Sequence, residues 1–164
     1  MGALKSTRAE SSSLGYPVRM TSTPTLNYYR RDQKAGVTAP DPSKPCTLAE
    51  HIVRARGKRT KYTSVSLDPD KIDDFGPTLH QALCPEILGK GHVVIEHDAL
   101  IQSLRTEAIN GEKLDRRKAL QAQRYAIRRR EGLIDWKFNI AGVQRKELIT
   151  WAFVQVQSFF RAIR

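Results

Sequence analysis

The stretch EKLDRRKALQAQRYAIRRREGLIDWKFNI, residues 112–140, sets the fold class, because its apolar residues change period part-way along. From Glu112 to Glu131 it consists mostly of Lys, Arg, Ala, Gln and Leu, which lose little rotamer freedom in a helix. Gly132 stands where a C-cap glycine belongs. Beyond it, Ile134, Trp136, Phe138 and Ile140 alternate with Asp135, Lys137 and Asn139. That period of two puts four large apolar groups on one face of a strand. A helix followed by a half-buried strand predicts an α+β domain.

The same reading extends in both directions. Asp98 is a good N-cap, and Leu100, Ile101, Leu104 and Ala108 recur at helical spacing until Asn110-Gly111. Residues 77–88 predict short helical turns broken at Pro85, and Gly89-Lys90-Gly91 turns the chain into an inner strand, His92 to Glu96. Thr63, Val65 and Leu67 alternate with Ser64 and Ser66, a half-buried strand stopped by Asp68-Pro69-Asp70. Thr47-Leu48-Ala49-Glu50 fits a capping box opening a short helix. At the other end, Arg145 to Ile163 places Leu148, Ile149, Ala152, Phe153, Val156, Phe159, Phe160 and Ile163 on one broad helical face. The expectation is a compact domain over residues 46–164, a small sheet of about three strands covered by helices. Residues 1–45, rich in Ser, Thr, Pro and Arg and without a hydrophobic period, are expected to form a flexible basic arm.

With 164 residues, 40% of them hydrophobic, the chain suits one domain with a core. Cys46 and Cys84 are its two cysteines, and no apolar leader follows Met1, so a disulfide-stapled secreted scaffold is not expected. Leu148 to Ile163 is broken by Thr150, Gln155, Gln157, Ser158 and Arg161, which argues against a span. A cytoplasmic location follows, peripheral to a membrane, with the nucleus as an option.

Charge is the strongest functional signal. The formal net charge is +11, and it is unevenly spread: residues 68–112 hold three Lys or Arg against nine Asp or Glu, residues 113–164 thirteen against four. Two clusters are candidates for binding a polyanion. One is Arg54, Arg56, Lys58, Arg59 and Lys61; the other is Lys113, Arg116, Arg117, Lys118, Arg124, Arg128, Arg129 and Arg130 on the long helix. Point charges and guanidinium forks suit phosphates of nucleic acid or lipid alike. Met1-Gly2-Ala3-Leu4-Lys5-Ser6 matches the acylation pattern M-G-x-x-x-[ST], which makes Gly2 a candidate for myristoylation. One acyl chain anchors marginally, but basic residues near anionic lipid add roughly 1 kcal/mol each.

Enzymatic signatures are missing from this picture: there is no G-x-x-x-x-G-K-[ST], G-x-G-x-x-G, H-E-x-x-H or G-x-S-x-G. Asp68, Asp70, Asp73 and Asp74 lack the glycine and distal glutamate of a calcium loop. His80, Cys84, His92 and His97, with Cys46 and His51, match no zinc-finger spacing, so no metal or other cofactor is expected. These features predict a non-enzymatic, matrix-like structural protein that binds anionic membrane, self-associates and takes no small-molecule substrate. RNA or DNA binding is the first alternative, and an adaptor on an acidic protein assembly the second.

Overall fold

The computed structural model describes residues 27–53, 59–72 and 75–163. In chain order the elements are β1 (Asn27–Asp32), α1 (Leu48–Val53), β2 (Tyr62–Ser66), β3 (Thr78–Leu83), α2 (Cys84–Gly89), β4 (Val93–Ile95), α3 (His97–Asn110), α4 (Lys113–Arg129), β5 (Glu131–Asp135), α5 (Leu148–Gln157) and β6 (Phe160–Ala162). The fold is α+β, but its sheet has six antiparallel strands in the order β4-β5-β2-β1-β3-β6, twice the expected number. The extra strands lie where no clean alternation shows. β1 sits within the stretch expected to be an arm and carries Arg30 and Asp32 at buried positions, while β3, six residues long, and β6, three, lie where helical turns are expected.

Two apolar layers hold the sheet. Leu133 of β5, Ile95 of β4 and Tyr62 of β2 pack with Leu48 and Ile52 of α1, Leu100 and Leu104 of α3, and Ala119, Ala122 and Ala126 of α4. Small alanines at this spacing let α4 approach closely. On the other side Ile134, Val94 and Val65 join Tyr28, Ala82, Ile87, Trp136, Val156 and Phe160. Adjacent Leu133 and Ile134 thus serve opposite layers, as a strand demands. Each buried side chain of this size contributes about 2 kcal/mol of transfer free energy.

Several boundaries differ from the sequence reading. The ladder of β5 begins at Glu131 and ends at Asp135, so the alternation at Trp136 and Phe138 continues past the last paired residue. Those rings stack 5.2 Å apart beside His92. Helix α4 is capped by Arg130 in the left-handed region at φ 48°, not by Gly132. The last helix stops at Gln157, and Phe160–Ala162 pairs with β3. All five residues of β2 are buried, so Ser64 and Ser66 do not face solvent.

The sheet has one weak seam. β1 pairs with β3 over six registers, from Asn27↔Leu83 to Asp32↔Thr78, yet meets β2 at the single pair Tyr29↔Ser66. Beyond that pair the facing edge of β2 needs other partners for its backbone. Gly76 closes one end of this region: a side chain there would meet the Asp32 carbonyl carbon at 2.5 Å.

Candidate active site

Polar side chains fill the seam. Arg30 donates from Nη1 to the Ser64 carbonyl at 2.9 Å and from Nε to Asp32 Oδ2 at 2.8 Å. The first bond satisfies a β2 carbonyl that no strand reaches. Asp32 is held in turn by the N–H groups of Gln33 and Thr38 and the Thr38 hydroxyl. The Arg30 guanidinium lies 4.1 Å from the centre of the Phe75 ring, a cation–π contact.

His51 comes in from α1. Its Nδ1 meets the Thr60 hydroxyl, and its Nε2 lies 2.8 Å from Ser64 Oγ. Burial, reinforced by the charges of Arg30 and Arg129, pushes its pKa down to about 3. The ring is therefore neutral at physiological pH and carries one N–H.

Glu131 opens β5 and is fully buried. Its side chain accepts from the Ser64 hydroxyl, and its Oε1 lies 3.4 Å from Arg129 Nη1. Oε2 has no hydrogen-bond partner among the described residues. Burial raises the pKa of this carboxyl, against the pull of Ser64, Arg129 and Arg30. If Ser64 donates to Glu131, the consistent proton order has His51 Nε2–H donating to Ser64 and Thr60 donating to His51 Nδ1. A directed chain thus leads from Thr60 to a carboxylate with one oxygen still open.

The elements explain how these groups meet. Arg130 takes the left-handed conformation that ends α4, and the chain enters β5 on the next residue, so Arg129 and Glu131 face the same interior. The rings of Phe75 and Tyr125 flank the Arg129 guanidinium at 5.7 and 5.4 Å. A cavity of about 30 Å³ beside Arg30, His51, Ser64 and Phe75 has room for little more than water. A larger one, about 600 Å³, lies between the start of α1, α3 and α4, lined in part by Cys46, Ser103, Glu107 and Lys118. Tyr62 lines both, and its ring meets His51 edge-on at 5.5 Å.

No family model, curated protein or solved structure matches the chain. What the chain does must be read from its own groups.

The residues singled out from sequence fare unequally. Arg129 is a correction: it is buried against Glu131 and is no part of an open polyanion surface. Lys113, Arg116, Arg117, Arg124, Arg128 and Arg130 are exposed. Arg116 bonds to the carbonyls of Ala108 and Gly111, and Lys118 lies 3.9 Å from Glu50. Arg59 donates to the Ala39 carbonyl, and Lys61 lies 3.5 Å from Asp135. Gly2, Arg54, Arg56 and Lys58 lie outside the described residues. The histidines weighed as zinc ligands are spent elsewhere: His80 bonds to the Gln33 carbonyl, His97 to the Glu131 carbonyl, and the Lys137 N–H donates to His92. Among the described residues no helix is long and apolar enough to cross a membrane.

Sequence reasoning passed over Arg30, Asp32, Ser64 and Glu131 as site residues and weighed His51 only as a zinc ligand. The five lie on four separate elements, and no local spacing joins them. One signal was available: Tyr28, Arg30 and Asp32 share a strand parity, which buries a cation and an anion side by side.

Proposed function

We propose that the chain is an enzyme whose reacting centre is Glu131, and that it cleaves the glycosidic bond of a phosphate-bearing nucleotide. One observation carries this reading: a fully buried carboxylate with an open oxygen, 3.4 Å from the Arg129 guanidinium, bonded by Ser64 of a serine–histidine pair and within the field of Arg30. Such a group is costly to bury, and costly ionisable clusters gather at sites of chemistry.

The chemistry follows from the charges. Arg30 and Arg129 offer guanidinium donors suited to phosphate oxygens. The open oxygen of Glu131, in a poorly hydrated interior, stabilises positive charge that develops next to it. A glycosyl carbon losing its leaving group develops such charge as an oxocarbenium ion. Glycosidases usually add a second carboxyl to protonate the leaving group. Here the other two buried carboxylates are committed, Asp32 to Arg30 and Thr38, and Asp135 to Lys61 and Lys137. The leaving group must then depart without a proton, as a ring that is already cationic does. NAD is the abundant nucleotide of that kind, with a pyrophosphate for the arginines and a pyridinium leaving group.

In this reaction the ribosyl C–N bond breaks and its electron pair neutralises the departing nicotinamide. The cation left on the ribosyl carbon sits against Glu131 until water or an acceptor nucleophile adds and releases a proton. Ser64 and His51 hold the carboxylate in place. The 600 Å³ cavity is large enough for a nucleotide and shares Tyr62 with the small cavity beside Arg30, His51 and Ser64.

The test is to incubate the full chain with NAD, with and without cell extract as a source of acceptors, and follow nicotinamide by chromatography. Release that is lost in Glu131→Gln and Arg30→Ala supports the reading. No release under any of these conditions sinks it.

A further inference from the structure

We infer that the outward face of α4 is a docking surface for an anionic lipid bilayer. At about 100° per residue, Leu120 and Ile127 fall on one row of the helix, seven residues apart. Lys113, Arg117, Arg124 and Arg128 flank that row on one side and Arg116 on the other. Leu120 is 46% exposed and Ile127 54%, and Leu114 is more exposed still at 73%. None of Lys113, Arg117, Arg124 and Arg128 forms an ion pair among the described residues. Over 17 residues, about 25 Å of helix, no acidic side chain but Asp115 interrupts the cations.

The combination decides the partner. Cations alone would serve nucleic acid as well, since phosphate contact needs nothing apolar. Branched aliphatic side chains standing in water within a basic row fit the headgroup boundary, where they leave water while guanidinium groups stay with the phosphates. Arg129 lies about half a turn from Leu120, on the inner side, so docking leaves the Glu131 cluster untouched. The surface is therefore separate from the proposed reaction and can be tested without it.

The experiment uses the full chain made without acylation, with flotation on vesicles of phosphatidylcholine alone and with 30 mol% phosphatidylserine added, and a single-stranded RNA as a second polyanion. Binding to the serine-containing vesicles is expected, with tenfold or greater loss in Arg117→Glu/Arg124→Glu/Arg128→Glu. A loss of about threefold or more is expected in Leu120→Ser/Ile127→Ser. Melting curves should show both variants as stable as the parent, since every altered residue is exposed. The inference is overturned if the parent ignores the anionic vesicles, or if the Leu120→Ser/Ile127→Ser variant binds them as the parent does. It is equally overturned if the arginine variant loses RNA binding alone.

Discussion

Arg128, Arg129 and Arg130 are consecutive and chemically identical, yet α4 puts them in three different environments. Arg128 lies in water with its guanidinium 5.1 Å from the centre of the Tyr125 ring, Arg129 is buried against Glu131, and Arg130 is exposed with its backbone in the left-handed region. The outer face of the helix and its inner end therefore obey different physics. Outside, solvent screens each charge and a substitution changes little. Inside, the outcome depends on the partners that remain: Asp32 loses its cation when Arg30 is removed and bears the full cost of burial, whereas Arg129 keeps the rings of Phe75 and Tyr125 when Glu131 is neutralised.

The largest effect expected from that contrast comes from the inner cluster. Arg30→Ala leaves Asp32 without its cation and the Ser64 carbonyl without a donor, and should lower stability by about 3–5 kcal/mol. Arg128→Ala should stay within about 0.5 kcal/mol of the parent. Urea titrations of the two variants measure the difference, and equal losses would erase the distinction between the regions.

Next in size is the acid side of the pH profile. His51 has its pKa depressed to about 3 in the fold, against an ordinary value of 6.5. Above that ordinary value the ring is neutral in both states. As pH falls from 6.5 toward 3 the unfolded chain takes up a proton that the folded chain refuses, so stability drops by about 1.4 kcal/mol per unit. His51→Gln should flatten this part of the curve; an unchanged slope would mean that the ring is not held neutral.

Glu131 acts with the opposite sign. Its pKa is raised in the fold, so its share of stability is full at acid pH and is lost as pH rises through the folded value. Glu131→Gln keeps the shape, removes the buried charge, and should gain about 1 kcal/mol at pH 8. The gain should vanish as pH approaches 4.

Smallest is Arg130→Gly, which relieves a non-glycine residue of a left-handed conformation and should stabilise by about 0.5–1 kcal/mol. Calorimetry at one pH suffices to see it.

These contrasts also mark what was legible beforehand. α3 could be read because Leu100, Ile101, Leu104 and Ala108 recur at helical spacing and join one layer, and α4 because it consists mostly of strong helix formers; the alternation from Ile134 announced an apolar face that Ile134, Trp136 and Phe138 share. The strands β1, β3 and β6 could not. β1 buries Arg30 and Asp32 where an alternating strand would bury aliphatics, and β6 is three residues long within a stretch whose apolar spacing also suits a helix. The candidate centre stayed hidden for the same reason: its parts are ordinary polar residues until the β1–β2 seam brings them together. Arg129 shows the limit most plainly, since nothing local separates it from its two neighbours.

Whether Glu131 is kept for chemistry at the expense of the fold is decided by measuring unfolding free energy and nicotinamide release on Glu131→Gln side by side at pH 8. A more stable protein whose release of nicotinamide from NAD falls at least a hundredfold is expected. A variant that is less stable than the parent and equally active would contradict it.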